Sequence, residues 1–481
     1  MFGEILDHFT NIRYDRQVKT QVDINGGHME FFKLKENGTT IKKEVIAGIT
    51  TFMTMAYILA VNPDILGAAG MNRHGVFVAT ALSAVLGTVL MALLANYPFA
   101  LAPGMGLNAF FAYTIVIKMG YSWQFALAAV FVEGIIFILL TMCNVREALF
   151  NAIPNCMKYS ISAGIGLFIA FIGFKNAGVV VADESTLVAL GSMIEPQTVL
   201  CIAGVIITIV LMKRQVKGAM LFGILITWGL GIIAQFTGWY VVNPEAGMYS
   251  LLPDFSGTDS LFAGFSEVAL KFPSMNEIFG SAESIFNFIV VVFSFLFVDL
   301  FDTLGALMGV ASKANYINEK GELPRIKQVF LADAIATTAG SLMGTSTVTT
   351  FVESTAGVME GGRTGLTAIS TAVCFILSLF LSPVFLAIPS FATAPALIVV
   401  GVLMLDGIFS VDFSDLSEAL PAFLTMAMMP FTGSIADGII FGGITYVIIK
   451  LLSGKRKDVS IVMYILAVLF IIKLVLSSLI A

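Results

Sequence analysis

The chain contains the stretch Val76-Phe77-Val78-Ala79-Thr80-Ala81-Leu82 and, far downstream, the matching stretch Val329-Phe330-Leu331-Ala332-Asp333-Ala334-Ile335. A Gly-Thr-Val triplet follows the first copy, and a Gly-Ser-Leu triplet follows the second. Each copy then leads into a short segment interrupted by glycine, proline or threonine, at 97–108 in the first copy and at 344–353 in the second. Matched breaks at equivalent positions indicate an internal repeat.

The composition places this repeat in a membrane. Of the 481 residues, 58% are hydrophobic and only 12% are charged, and the mean hydropathy is +0.93. A soluble domain carries roughly 25% charged residues, so the chain is predicted to be a polytopic membrane protein. The net charge of −6 offers no basic surface for nucleic acid. The cysteines lack paired spacing and the histidines lie outside the apolar runs. We therefore expect no disulfide scaffold, metal or cofactor.

The apolar segments number fourteen and are joined by short loops. They lie near 45–61, 76–95, 103–118, 122–142, 159–174, 196–212, 218–236, 284–310, 327–344, 350–360, 366–386, 391–408, 416–430 and 434–452. A further run at 459–480 either spans the membrane or lies at its interface. The two repeat copies lie in the second and ninth segments, seven positions apart; because seven is odd, the copies are predicted to run in opposite directions. Inverted repeats with matched breaks are typical of secondary transporters, whose substrate site lies at the membrane midplane.

Loop charges predict the orientation. If the N-terminus is cytosolic, the inside loops collect lysine and arginine, as at 42–43, 213–217, 313–327 and 455–457. The outside loops collect acids instead, between 183 and 267. This bias follows the positive-inside rule. Residues 1–44 then form a cytosolic extension, and the chain is expected in the cytoplasmic membrane.

Asp299 and Asp302 lie deep in a long apolar helix, where ionisable groups are costly and usually functional. Their spacing of three puts both carboxylates on one helix face. Two like charges this close cannot both be ionised at low cost, so we expect one of them to exchange a proton. The structural alternative is that they cap neighbouring helix ends or pair with a buried base, although no lysine or arginine lies within the apolar interior of a segment.

Three further candidates lie at the two breaks. Glu353 opens the second broken segment, either as a ligand-binding carboxylate or as an ordinary helix cap. Asn108 ends the first broken segment and offers an amide to a ligand, with helix packing as the alternative. Gly106 lets the backbone approach a ligand closely or simply packs between helices.

Other polar features are predicted to be structural. Glu133 and Asp333 are expected to be interhelical hydrogen-bond partners. The Gly-Gly-Arg-Thr-Gly run at 361–365 resembles a phosphate loop but lacks its Lys-Ser/Thr ending. The candidate residues at the breaks and in the long helix would form a site with three carboxylates, one amide, hydroxyls and the rings of Phe110, Phe301 and Phe351. Such a site suits a flat ligand rich in N–H donors, such as a nucleobase; a metal cation or an amine also fits.

These residues resemble the nucleobase:cation symporter-2 (xanthine/uracil permease) family, and within it the adenine/guanine/hypoxanthine permease branch. The matching motifs are Gly48–Tyr57 with Asn62-Pro63, Ala102–Phe111, Val298–Thr303, Thr350–Thr355 and Gly362–Thr367. The resemblance covers about residues 29–452. It implies an all-α membrane protein of about fourteen transmembrane helices in two inverted repeats of seven. Helices 3 and 10 would each begin as a short strand, and the two strands would cross antiparallel to one another.

The resemblance also implies a division into domains and a mechanism. The parts are a core domain at 45–158 (helices 1–4) and 284–386 (helices 8–11), a gate domain at 159–240 (helices 5–7) and 387–481 (helices 12–14 and the C-terminal segment), and an extracytoplasmic loop at 241–283. Hypoxanthine, guanine or adenine would be imported with protons by an elevator-like movement of the core against the gate.

By motif, Asp299 and Glu353 would contact the purine and Asn108 would support it, with Thr350, Phe351 and Gly106 beside them. Asp302 would serve proton coupling together with Asp299 and Glu353.

Several alternatives stay open. A uracil or xanthine carrier has the same fold, and so does an inorganic-anion exchanger, although an anion site should be free of acids. A channel would move its solute without proton coupling. An enzyme is not expected, because no nucleophile–base pair or metal set lies at membrane depth. The partners are thus purine, protons and lipid, without nucleic acid, and the sequence leaves open whether two copies form a homodimer.

Overall fold

A computed structural model describes most of the chain. The described residues are 31–143, 153–243, 248–253, 262, 264–314, 316 and 323–480. Residues 1–30 of the predicted cytosolic extension lie outside this part, as do several residues of the predicted 241–283 loop.

The fold is built from helices. In chain order they are α1 Ile41–Met55, α2 Ile58–Ala68, α3 Arg73–Leu90, α4 Met105–Ala109, α5 Trp123–Met142, α6 Asn155–Asn176, α7 Pro196–Lys213, α8 Ala219–Phe236, α9 Phe265–Val268, α10 Met275–Phe279, α11 Ala282–Lys313, α12 Ile326–Met343, α13 Ser354–Met359, α14 Gly365–Ser378, α15 Ser382–Leu386, α16 Ser390–Leu403, α17 Leu416–Thr432, α18 Ile435–Leu452 and α19 Ile461–Ile480. Two of them continue as π-helical turns, α3 over Met91–Ala95 and α4 over Phe110–Lys118.

Each of the fourteen predicted segments overlaps at least one of these helices. Within the described part of the chain, ten helical stretches are long and apolar enough to cross a membrane. The exceptions include α4 and α13, the short helices that follow the two predicted breaks. The uncertain run at 459–480 forms α19, which packs against α18. The prediction of a helical, multi-pass membrane protein is confirmed.

Local sequence signals explain where many helices begin and end. The side chains of Thr40, Asn72 and Ser122 each accept a hydrogen bond from a main-chain N–H three residues further on, at 3.0–3.4 Å. These caps satisfy donors that have no partner within the helix. At the other end of α12, Gly344 has φ 95°, a left-handed conformation that glycine adopts at no steric cost.

Four short strands interrupt the helices: β1 Leu101–Pro103, β2 Val180–Asp183, β3 Leu187–Leu190 and β4 Val348–Thr350. The β1 and β4 strands pair antiparallel, with Ala102 opposite Thr349, and both are buried. They are the two segments that the repeat predicted to be broken, and their opposite directions agree with an inverted repeat. The β2–β3 hairpin lies between α6 and α7 and has no counterpart in the sequence predictions.

The helices pack in two sets around this strand pair. In one set, α12 packs against α3 and α5, α14 packs against α1 and α3, and α11 packs against α5. In the other, α6 packs against α16 and α17, α17 packs against α18, and α7 packs against α8 and α16. Smaller contacts join the sets, among them α4 with α6, α1 with α8, and α2 with α16.

Candidate functional site

The paired strands bring together the two breaks and the middle of α11. Beyond the strands, the main-chain N–H of Gly104 donates to the Thr347 carbonyl at 2.9 Å, and that of Phe351 donates to the Ala100 carbonyl at 3.0 Å. These bonds fix the starts of α4 and α13 at opposite ends of the strand pair. Polar side chains from residues far apart in sequence therefore meet at a place that the sequence assigned to the membrane midplane.

Asp299 is fully buried and joins a network of hydroxyl groups. The Thr303 hydroxyl donates to Asp299 Oδ1 at 2.9 Å and lies 2.8 Å from the Thr349 hydroxyl of β4. The same hydroxyl lies 3.2 and 3.3 Å from the two carboxylate oxygens of Asp333 on α12. A hydroxyl has one proton, so it donates to only one of these oxygens at a time. Asp299 and Asp333 thus share one donor.

Asp302 lies on the neighbouring part of α11, next to the end of β1. A methyl group built on Gly104 would lie 3.1 Å from Asp302 Oδ2 and 2.7 Å from the Thr349 side chain. Gly104 therefore lets the backbone approach Asp302 closely, because any larger residue would collide with β4. Asp299 reaches β4 through Thr303, and Asp302 reaches β1 at Gly104.

Glu353 is held by a residue that the sequence analysis did not single out. The Tyr57 phenol donates to Glu353 Oε1 at 2.7 Å, and Tyr57 is 1% exposed. The Glu353 side chain makes no capping hydrogen bond to α13, although the residue occupies the position before that helix. The signal for Tyr57 was its hydroxyl inside an apolar segment, where a polar group needs a partner.

Asn108 connects the two broken segments. Its side-chain oxygen accepts a hydrogen bond from the Ser346 hydroxyl at 2.5 Å, and its amide nitrogen donates to the Pro103 carbonyl at 3.4 Å. Asn108 is buried. Gly106, on the same short helix, faces α6: a methyl group there would lie 2.6 Å from Ile165 Cγ2. Gly106 thus lies at a close contact between the two sets of helices.

Thr350 and Phe351 lie at the end of β4, and both are buried. Among the described residues, the Thr350 hydroxyl has no hydrogen-bond partner. A buried hydroxyl without a partner is rare and costs roughly 1–3 kcal/mol, so it needs an explanation. The ring of Phe110 packs edge-on against Phe295, with 5.1 Å between the centroids. The side chain of Phe301 lies outside the described part of the structure.

Two further acids lie beside the strands. The Thr347 hydroxyl donates to Glu133 Oε2 at 3.0 Å, which joins α5 to the segment before β4. Asp333 joins α12 to α11 through Thr303. The Asp333 contact agrees with its predicted role as an interhelical hydrogen-bond partner, whereas Glu133 joins a helix to the non-helical segment before β4.

The main-chain N–H groups in and after the Gly-rich run at 361–365 bind a carboxylate of this same chain. Glu44 of α1 is fully buried and accepts hydrogen bonds from the main-chain N–H groups of Arg363, Thr364 and Thr367 at 2.9–3.2 Å. These N–H groups are the donors that a bound phosphate would need. The run serves to anchor α14 to α1.

Comparisons with known proteins agree with this architecture. A sequence model of the xanthine/uracil permeases, described as a permease family, matches residues 42–473. The chain belongs to this family. The permease is 43% identical to the adenine permease AdeP of Escherichia coli, over 95% of this chain and 98% of that one. It is 44% identical to the guanine/hypoxanthine permease PbuO of Bacillus subtilis, over 92% and 99%.

A solved structure shares the fold of this permease. It is the transmembrane domain of a cyanobacterial bicarbonate transporter, BicA, with a TM-score of 0.60 and 16% sequence identity. The match covers 83% of this chain and 97% of the other. At this identity, the likeness concerns the fold alone. The family match and the apolar helices identify the chain as a multi-pass transporter.

Proposed function

We propose that this permease imports purine nucleobases across the cytoplasmic membrane by proton symport. The observation that carries the proposal is the convergence of Asp299, Asp302 and Glu353 on the β1–β4 strand pair. It occurs in a chain that is over 40% identical, along nearly its whole length, to adenine and guanine/hypoxanthine permeases.

The chemistry of the site supports a purine rather than an anion. Carboxylate oxygens accept hydrogen bonds, and the edges of adenine, guanine and hypoxanthine all carry N–H donors. The unpaired Thr350 hydroxyl can donate to a ring nitrogen or accept from an N–H, which would supply the partner that it lacks. An inorganic anion would be repelled by the carboxylates, so the BicA-like fold does not by itself favour an anion substrate.

Proton coupling is assigned to the same carboxylates. The chain has no histidine in its apolar segments, so the groups that can take up a proton at this depth are acids. Asp299 is fully buried, and its Thr303 partner has alternative acceptors in Asp333 and Thr349. Protonation of Asp299 would free the Thr303 hydroxyl to donate to Asp333 on α12 or to Thr349 on β4. The charge of Asp299 is in this way connected to the hydrogen bonds around the strand pair.

We further propose that the two sets of helices are a core domain (45–158 and 284–386) and a gate domain (159–240 and 387–481). In this proposal the core moves as an elevator, and the N-terminus is cytosolic. The packing of α12 and α14 onto α1, α3 and α5 supports it, as does the packing of α16 and α17 onto α6. The acids and strands all belong to the first set, so a rigid movement of that set would carry the whole site.

Uptake of radiolabelled bases by cells that lack their own permeases tests the proposal. We expect saturable uptake of hypoxanthine, guanine or adenine that collapses with a protonophore. Asp299→Asn and Glu353→Gln should abolish it, whereas Glu184→Gln, an exposed acid in the β2–β3 turn, should not. Uptake of uracil or sulfate in place of purines would contradict the proposed substrate. Purine uptake unaffected by both variants would contradict the proposed site.

A further inference from the structure

Tyr57 occupies a special position in the first membrane span. It lies in the two-residue interruption between α1 and α2, and its ring is 1% exposed. Its phenol donates to Glu353 Oε1 at 2.7 Å, and the Thr54 hydroxyl lies 3.4 Å from the Glu353 main-chain carbonyl. The Thr54 hydroxyl lies closer to the Thr51 carbonyl of its own helix, at 2.8 Å, so the first span holds residue 353 mainly through the Tyr57 phenol.

The hydrogen bond from Tyr57 restricts what Glu353 can do. An O–H group that donates to a carboxylate makes a short, directional bond, stronger than one between neutral groups. The bond uses one of the two carboxylate oxygens and fixes the plane of the group. The other oxygen then points in a defined direction and can accept a hydrogen bond from a ligand N–H.

We propose that Tyr57 is a positioning residue for substrate binding, which orients the Glu353 carboxylate towards an N–H donor of the purine. This inference rests on the proposed function. It differs from a purely structural role, in which the phenol would only satisfy its own hydrogen bond and Tyr57→Phe would affect folding but not substrate affinity.

The test is Tyr57→Phe in the full-length protein, with initial uptake rates of labelled hypoxanthine, guanine and adenine. We expect KM to rise about tenfold while the maximal rate stays within about twofold, because the loss concerns binding. Tyr240→Phe is the matched control, since that phenol donates to the Tyr249 carbonyl at 3.1 Å, in a loop after α8. It should leave KM unchanged.

A double-mutant cycle shows whether Tyr57 acts through Glu353. Glu353→Asp shortens the side chain and should weaken binding, and adding Tyr57→Phe should weaken it no further. An unchanged KM in Tyr57→Phe, or fully additive losses in the double variant, would overturn the inference. Failure of the unmodified protein to take up any purine would instead overturn the proposed function.

A second observation concerns polar contacts between the two sets of helices, at the end of the bundle where α2 ends. Asp64 of α2 accepts hydrogen bonds from the hydroxyls of Ser390 at 2.9 Å and Thr393 at 3.2 Å, both on α16. It also forms an ion pair with Arg73 at 3.3 Å. These contacts join the proposed core to the proposed gate.

More contacts between the sets lie at the same end. The Asn176 amide of α6 donates to the Tyr113 phenol at 3.0 Å, and the Thr114 hydroxyl donates to the Gly433 carbonyl at 3.0 Å. Lys118 lies 3.7 Å from Asp437. Asp64 and Tyr113 also line a partly open polar cavity of about 290 Å³, so space for water lies beside these hydrogen bonds.

From this geometry we infer that the Asp64–Ser390–Thr393 cluster is a latch that closes the outer side of the transporter. The inference rests on the proposed function and on a cytosolic N-terminus, which places the end of α2 outside. External purine then binds only the fraction of molecules with an open latch, and the apparent dissociation constant equals the intrinsic constant divided by that fraction. A weaker latch should therefore lower the KM for external purine, whereas damage to the substrate site would raise it.

The test is the double variant Ser390→Ala/Thr393→Val, which leaves Asp64 paired with Arg73. We expect the KM for external purine to fall by about threefold or more, in cells that contain as much of the variant as of the unmodified protein. Ser370→Ala is the control, because the hydrogen bond described for that hydroxyl lies within α14, to the Leu366 carbonyl at 2.8 Å. An unchanged or raised KM in the double variant would overturn the latch. Absence of purine uptake by the unmodified protein would overturn the proposed function instead.

Discussion

The anchor between Glu44 and the start of α14 gives the sharpest prediction about stability. Glu44 is fully buried, and its Oε1 accepts from the Arg363 N–H at 2.9 Å. Its Oε2 is near the N–H and hydroxyl of Thr364, at 3.2 and 2.8 Å, and near the same two groups of Thr367, at 3.1 and 2.7 Å. One carboxylate therefore serves five donors from a segment more than 300 positions away.

Glu44→Gln changes only one side-chain oxygen, yet it should destabilise the protein substantially. The amide replaces one acceptor with an NH₂ group that faces a main-chain N–H, which leaves at least one buried donor unpaired at about 1–3 kcal/mol. The remaining bonds lose their charge assistance, whereas a neutral amide is cheaper to bury. We expect a net loss of about 2–4 kcal/mol.

Heat-inactivation of the purified protein in detergent measures this loss. Because such unfolding is seldom reversible, variants are compared at one heating rate. The midpoint for Glu44→Gln should fall by roughly 5 °C. Glu36→Gln is the control, since Glu36 is exposed and forms an ion pair with the exposed Lys33 at 3.1 Å. Its midpoint should stay within about 1 °C. Equal midpoints for the two variants would refute the role of Glu44 as an anchor.

Three further predictions concern the site and the C-terminal region. Gly106→Ala puts a methyl group 2.6 Å from Ile165 Cγ2 and should abolish transport, and Ile165→Ala in the same chain should partly restore it. Thr350→Val removes an unpaired buried hydroxyl, so the heat-inactivation midpoint should stay the same or rise while KM for purine rises about tenfold. The hydrogen bond from Lys455 lowers the pKa of Asp415 in the folded protein. The pair therefore stabilises the fold at pH values above the ordinary aspartate pKa, and this stabilisation is lost as the pH falls below that value. Lys455→Gln should therefore make heat-inactivation less sensitive to acid below about pH 4.

Structural features that depend on the composition of a short stretch of sequence were predictable. The breaks at 97–108 and 344–353 are marked by glycine, proline and threonine, and they became the β1–β4 strand pair. The fourteen helical segments followed from hydropathy, and the acids of α11 were conspicuous because charges are rare in apolar segments. Such signals depend on composition within a short window, so a single sequence is enough to find them.

Features that depend on distant partners were not predictable. The residues around Tyr57 do not indicate that its phenol donates to Glu353. The residues around Glu44 do not indicate that its carboxylate binds the start of α14. Gly106 was expected to approach a ligand or another helix, and its contact with Ile165 required the packing of α4 on α6. These pairs are separated by tens to hundreds of residues, and only the folded chain brings them together.

Transport by purified protein in liposomes tests the central claim most directly. With an alkaline interior and labelled hypoxanthine, guanine or adenine outside, we predict accumulation above the external concentration. It should vanish when a protonophore removes the pH gradient, and also in Asp299→Asn and Glu353→Gln. Uptake that stops at equal concentrations, or accumulation that survives both substitutions, would contradict proton-driven purine transport at the β1–β4 site.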